Sequence, residues 1–220
     1  MTAAFRAMLV VGIAAFLGGC AVGRSVVPLD QSRVFENPIS GTPVKITSIE
    51  DARIFELAPK DPSTPSLQDG EIGNSAITAR AFARKRGGFG KAFGDILLPE
   101  GQTVAGVMED SIGNGFRKAG YRVLQPGDQG YEQAIAVDAW VRQYWTWVNF
   151  GFWALTVHCR VEVDLKGNLP ALGGGLTIPA EVSEDMQAVF EEDWQRIAAK
   201  GRDRVSENVA QTLADKPKPR

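Results

Sequence analysis

The chain has 220 residues, 44% of them hydrophobic and 23% charged, with 24 glycines and 12 prolines. That composition excludes a disordered or collagen-like polypeptide and suits one domain of moderate size. A formal net charge of −2 and a pI near 5.6 argue against nucleic-acid binding, which depends on a basic surface that neutralises phosphates. One histidine and two cysteines leave little material for a transition-metal site or a disulfide framework, so neither a metal nor a cofactor is expected.

Met1–Arg6 is a short polar start with one basic side chain, and Ala7–Gly19 is an uncharged, almost wholly apolar run. At helical rise the run spans about 20 Å, short of the ~30 Å hydrocarbon core, so it has the length of a secretory signal and not of a membrane span. It closes on Leu17-Gly18-Gly19-Cys20, which resembles the lipobox of bacterial lipoproteins: an aliphatic residue, two small residues and the acceptor cysteine. The resemblance implies cleavage before Cys20, a diacylglyceryl group on its sulfur and an acylated new amino terminus. Two or three acyl chains make attachment to membrane lipid effectively permanent, since each buried methylene contributes ~0.8 kcal/mol. Residue 21 is alanine and not the aspartate associated with inner-membrane retention, so the outer membrane, facing the periplasm, is the expected location. With Cys20 acylated, Cys159 has no intramolecular partner; it falls in an apolar run and reads as a buried, inert thiol.

Residues 20–42 read as the acylated cysteine and a flexible tether, rich in Gly, Pro, Ser and Asn. Pro43–Glu50 is β-branched and predicts a first strand, with an imperfect alternation of Val44, Ile46 and Ile49. Three prolines between Ala58 and Ser66 make that stretch loop, and 58–98 as a whole is expected to be an irregular insertion. Thr103–Ala119 predicts a helix, because Val104, Val107, Met108, Ile112 and Phe116 form one stripe. Thr103 is its expected N-cap and Gly120 its left-handed terminator.

Tyr121–Leu124 predicts a short strand. Ala134–Trp147 and Trp153–Leu165 then alternate as two long strands of an antiparallel hairpin turning through Val148–Phe152. In the first of these, Ile135, Val137, Ala139 and Val141 share one face, and Asp138, Arg142 and Tyr144 the other. Leu176–Ala180 is a short final strand. Ser183–Leu213 predicts a long helix, capped by Ser183, with Phe190, Trp194, Ile197, Gly201, Val205 and Val209 on its apolar face. Residues 215–220 form a polar tail expected to fray. The fold expected for 43–214 is α+β: a two-layer sandwich of two helices on one face of a mixed, roughly four-stranded sheet.

The lipobox, the Asp51-Ala52-Arg53 following the first strand, the helix ending in Ala-Gly-Tyr-Arg-Val (119–123), the hairpin and the C-terminal helix resemble the YajG-like bacterial lipoproteins. The order of elements is also similar to the two-helix, four-stranded domain of LptE-type and ABC-transport auxiliary lipoproteins. The resemblance implies an outer-membrane lipoprotein that is not an enzyme.

Four sets of residues remain to be weighed. Tyr144, Trp145, Trp147, Phe150, Phe152 and Trp153 crowd the hairpin tip, which reads either as a surface for an envelope protein or lipid partner or as a peripheral core curled over the helices. Arg84, Lys85, Arg86 and Lys91 flank a glycine-rich stretch that either contacts phosphate headgroups or forms a solvated loop. His158 is predicted on a polar strand face, and no Gly-x-Ser-x-Gly elbow accompanies it. The carboxylates Glu181, Glu184, Asp185, Glu191, Glu192 and Asp193 are expected at the start of the last helix, complementing its dipole. The expectation is a non-enzymatic, lipid-anchored binding module. The alternatives are an auxiliary lipoprotein of a lipid or lipopolysaccharide transporter, holding an acyl chain or a subunit in a helix–sheet groove, and a periplasmic hydrolase that needs His158.

Overall fold

The computed structural model describes residues 23–30, 32–68 and 70–216; Leu17, Gly18, Gly19 and Cys20 lie outside them, as do residues 217–220 of the tail. The described strands are β1 (Ser25–Val26), β2 (Pro43–Asp51), β3 (Ala81–Arg86), β4 (Ala92–Leu97), β5 (Arg122–Val123), β6 (Ile135–Phe150), β7 (Leu155–Gly167) and β8 (Leu176–Met186). The helices are α1 (Ser75–Thr78), α2 (Val104–Lys118) and α3 (Glu191–Ala214). Among the described residues the sheet is therefore eight-stranded and mixed with three helices, which corrects the expected four strands and two helices.

β6 is the spine. β7 pairs antiparallel along its whole length, and β8 pairs antiparallel with β7. On the other edge two strands share β6 end to end: β2 runs parallel to its first half, from Val44↔Ile135 to Asp51↔Val141, and β3 meets its second half at Ala83↔Thr146. β5 adds to β2 in parallel, while β4 and then β1 add to β3. The additional strands come from segments that lack a clean alternation. β3 and β4 lie inside 58–98, so that stretch is not an irregular insertion. β1 lies in the expected tether.

The tether is itself folded down. Val27 and Leu29 are buried, and Asn37 pairs with the Val123 backbone in both directions, its Nδ2 donating at 2.9 Å and its Oδ1 accepting at 2.8 Å. Asn114 accepts from Phe35 N and donates to Arg33 O, both at 3.0 Å. A flexible linker would leave those backbone groups to water; here side chains of α2 and of the segment itself satisfy them.

α2 and α3 pack on one sheet face over Phe82, Val137, Ala139, Val141, Tyr144, Cys159, Val161 and Val163. Thr103 caps α2 by accepting from Gly106 N at 3.1 Å, and Gly120 takes φ 90° beyond its end. α3 begins at Glu191 and not at Ser183. Residues 176–186 keep a period of two, with Ile178 and Ala180 buried and Thr177, Pro179, Glu181, Ser183 and Asp185 exposed, and they pair with β7 as far as Met186↔Leu155. Ser183, Glu181, Glu184 and Asp185 are thus strand residues. Only Glu191, Glu192 and Asp193 occupy the first turn, where Asp193 accepts from Phe190 N at 2.9 Å.

One bulge reorganises β6. Val141 pairs with Val163 and Gln143 with Glu162, so Arg142 is an extra residue and the side-chain alternation inverts. Tyr144 and Val148 therefore join Val141 on the helix side, correcting the expected grouping of Tyr144 with Arg142. Trp145 and Trp147 turn to the opposite face, where Leu67, Ala81 and Leu97 form a second cluster with Phe55, Ile72 and Ile77. A similar shift between Ile46 and Ser48 explains the imperfect alternation of β2.

Candidate interaction surface

Strand directions decide which turns meet. β3 runs parallel to β6, β7 antiparallel to β6, β8 antiparallel to β7, β4 antiparallel to β3, and β1 parallel to β4. The C-terminal ends of β3, β6 and β8 and the N-terminal ends of β1, β4 and β7 consequently lie at one end of the sheet. Three turns project there: 87–91 between β3 and β4, 151–154 between β6 and β7, and 187–190 between β8 and α3.

The contacts agree. A Cβ on Gly88 would lie 3.6 Å from the Phe150 ring, Gly23 N donates to Phe93 O at 2.6 Å, and Gln187 Nε2 donates to Trp153 O at 3.1 Å. Glu191 approaches Lys85 Nζ at 3.8 Å and accepts from Ser25 Oγ.

The six tip aromatics divide. Tyr144 is buried and its hydroxyl donates to Ala198 O at 2.9 Å. Trp145 is 1% exposed, donates to Pro62 O at 3.2 Å and meets Phe55 edge-on. Trp147 is buried, stacked on His158 at 5.0 Å, with Arg160 5.3 Å from its ring. These three are core, placed by the bulge: Tyr144 lies under α3, and Trp145 and Trp147 lie on the opposite face in the cluster with Leu67 and Phe55. Phe150 is half exposed, while Phe152 and Trp153 are 89% and 82% exposed and pack edge-on against each other at 4.8 Å. The same end exposes Phe89, Phe93 and Phe190, which the reading of a lone hairpin tip missed. The available signal was Phe89 itself, a bulky apolar residue inside Gly87-Gly88-Phe89-Gly90.

The basic group also divides. Arg84 donates to Leu67 O and lies 3.5 Å from Asp95; Arg86 donates to Pro59 O and Ser66 Oγ, both at 2.9 Å; Lys85 donates to Ser25 Oγ at 2.7 Å. These cations peg the 59–67 loop and β1 to the β3 strand. Of the four, only Lys91 is exposed, in the 87–91 turn.

His158 lies on the sheet face opposite α3. Burial lowers its pKa, and the nearby Glu181 only partly offsets that. Its Nε2 pairs with Asn149 Nδ2 at 3.2 Å and its Nδ1 is 4.0 Å from Glu181, which Arg160 also holds at 3.2 Å. Ser183 is its cross-strand neighbour on β8. The Cys159 thiol is fully buried on the other face and pushed up to about 12 by desolvation, the chemistry of a packing group and not of a nucleophile. Among the described residues no three His, Cys, Asp or Glu side chains gather as a metal-ligand set.

A groove of about 460 Å³ runs between α2, β2 and the residues Leu29, Asp30 and Ser32. Asp30, Glu109, Asp110 and Arg117 line it alongside Leu29 and Val107; burial and the neighbouring Asp110 charge raise the Glu109 pKa, and burial lowers that of Arg117. Charges at such a lining suit a polar ligand or peptide better than an acyl chain.

No helix among the described residues is long and apolar enough to cross a membrane. No family model matches the chain, and no curated protein matches it. Among solved structures it is similar to an uncharacterized protein with a TM-score of 0.45 and 10% identity, covering 88% of this chain and 99% of that one. It is similar also to a protein from Xanthomonas campestris assigned to DUF330, with a TM-score of 0.45, 13% identity and coverage of 86% and 94%.

Proposed function

We infer that this chain is a lipid-anchored envelope module, held on the periplasmic side of the outer membrane by acylated Cys20, that works by binding and not by catalysis. The observation that carries the reading is the division of the hairpin aromatics. Tyr144, Trp145 and Trp147 are consumed by the core, whereas Phe150, Phe152 and Trp153 stay in solvent beside Phe89 and Phe190. Rings gathered at one end of a domain mark a contact surface, because a fold gains nothing from leaving them in water. The sequence Leu17-Gly18-Gly19-Cys20, which resembles a lipobox, supports the anchor.

The anchor is tested by palmitate labelling and membrane fractionation of the full-length protein. Wild type incorporates label and resists extraction by salt and carbonate, while Cys20→Ala does neither. An unlabelled wild-type protein that washes off membranes overturns the reading.

A further inference from the structure

We propose that the aromatic end is a seat for the bilayer interface, so that the domain stands on the same membrane that holds its acyl chains. This deepens the preceding reading and rests on it. Phe89, Phe93, Phe150, Phe152, Trp153 and Phe190 come from three turns and the strand ends beside them that are distant in sequence, yet strand direction delivers them to one end of the sheet. The described chain begins at that same end, since Gly23 N donates to Phe93 O at 2.6 Å, and β1 then runs away from it parallel to β4.

Cys20 stands three positions before Gly23. At most ~3.6 Å of chain per residue gives a reach of about 11 Å between the acylated residue and the aromatic turns. That reach is far shorter than the 16-residue β6 or the 13-residue β7, so the end bearing Phe93 is the one held against the lipid. An end held there and exposing Phe and Trp gains by resting its rings at headgroup depth, where indole and phenyl groups are favoured. Lys91 lies in the same set of turns, where its ammonium can meet lipid phosphate. A protein partner would also accept such rings, but the short leash to Cys20 leaves the bilayer as the surface that is always in reach.

The test uses full-length, acylated protein reconstituted into vesicles of phosphatidylethanolamine and phosphatidylglycerol, with or without brominated acyl chains. Trp153 is the exposed indole; Trp145, Trp147 and Trp194 are buried and Trp140 is partly buried. Brominated lipid is expected to quench tryptophan emission, and Trp153→Phe to abolish that quenching. The Phe89→Ser/Phe152→Ser pair should lose the quenching while retaining palmitate label and thermal melt. Equal emission in brominated and plain vesicles, with the palmitate label intact, overturns the seat and leaves the anchor standing. So does a photo-crosslinker at position 152 that captures a protein and no lipid in cells. Absence of the label instead overturns the anchor, and the seat with it.

Discussion

Arg53 grips Asp51 through two parallel hydrogen bonds, Nε to Oδ1 and Nη2 to Oδ2, each 2.7 Å. The same guanidinium donates from Nη1 to Ala81 O at 2.6 Å and Tyr144 O at 3.0 Å, and from Nη2 to Thr78 O at 2.7 Å. Its side chain is fully buried while that of Asp51 is 18% exposed. One planar fork thus ties the end of β2 to the start of β3, to Tyr144 two positions past Arg142, and to the end of α1. It closes the gap where β2 and β3 succeed each other along β6.

Arg53→Met is expected to cost about 2–4 kcal/mol, because three carbonyls and a carboxylate lose a buried donor together. Arg53→Lys rescues little, since an ammonium cannot satisfy the fork. Urea denaturation midpoints measure both. Wild-type stability in Arg53→Met would show that the network is ornamental.

The helix layer depends on two glycines. A Cβ on Gly115 would lie 2.5 Å from Val209 Cβ and 2.9 Å from Ser206 O, and one on Gly201 would lie 2.6 Å from Cys159 Sγ. Gly115→Ala gains about 1 kcal/mol of helix propensity but overpacks α2 against α3 at a cost of ~1–3 kcal/mol. Thermal melting should therefore fall for either Gly→Ala variant, opposite to the propensity scale.

The hairpin aromatics should separate by denaturation alone. Trp145→Ala is expected to lose about 3–5 kcal/mol, as large core truncations do. Phe152→Ser and Trp153→Ser leave the melt where it was. Comparable losses at Trp145 and Trp153 would refute the division into core and surface.

Alkaline stability should decline from about pH 9. The Cys159 thiol, at about 12 when folded against 9.0 ordinarily, stays protonated while the unfolded chain releases its proton. Stability from this group is complete below pH 9 and is lost as pH rises toward 12, at up to about 1.4 kcal/mol per pH unit. Burial also raises the Tyr144 pKa well above 10.0, adding loss with the same sign. Cys159→Ala and Tyr144→Phe should each flatten the measured pH dependence of urea unfolding.

On the acid side, His158 titrates below 6.5 because burial disfavours its cation. The unfolded chain then binds the extra proton first, so its contribution to stability falls as pH drops below 6.5. Imidazole NMR checks the midpoint, and a value above 6.5 contradicts the packing against Trp147.

Local pattern alone identified α2, with its Thr103 cap and Gly120 stop, and the two long strands of the hairpin. Period and capping depend on near neighbours, so they survive in sequence. The N-terminal lipobox resemblance is likewise a contiguous signal. The start of α3 was misplaced because Phe190, Trp194 and Ile197 continue an apolar spacing that Val182 and Met186 also satisfy. Only pairing with β7 shows that 181–186 is strand.

The bulge at Arg142 was invisible for a related reason. A one-residue shift changes no residue's propensity, yet it moves Trp145 and Trp147 to the other face and sends Tyr144 inward. The exposed aromatic end depends on tertiary structure still more. Phe89, Trp153 and Phe190 lie up to 101 positions apart, and nothing local relates them. Parallel and antiparallel pairing across eight strands brings their turns to one end, where Gly23 also lies. Which rings are buried, and which share one end, follow from register and strand direction, and these are properties of the assembled sheet.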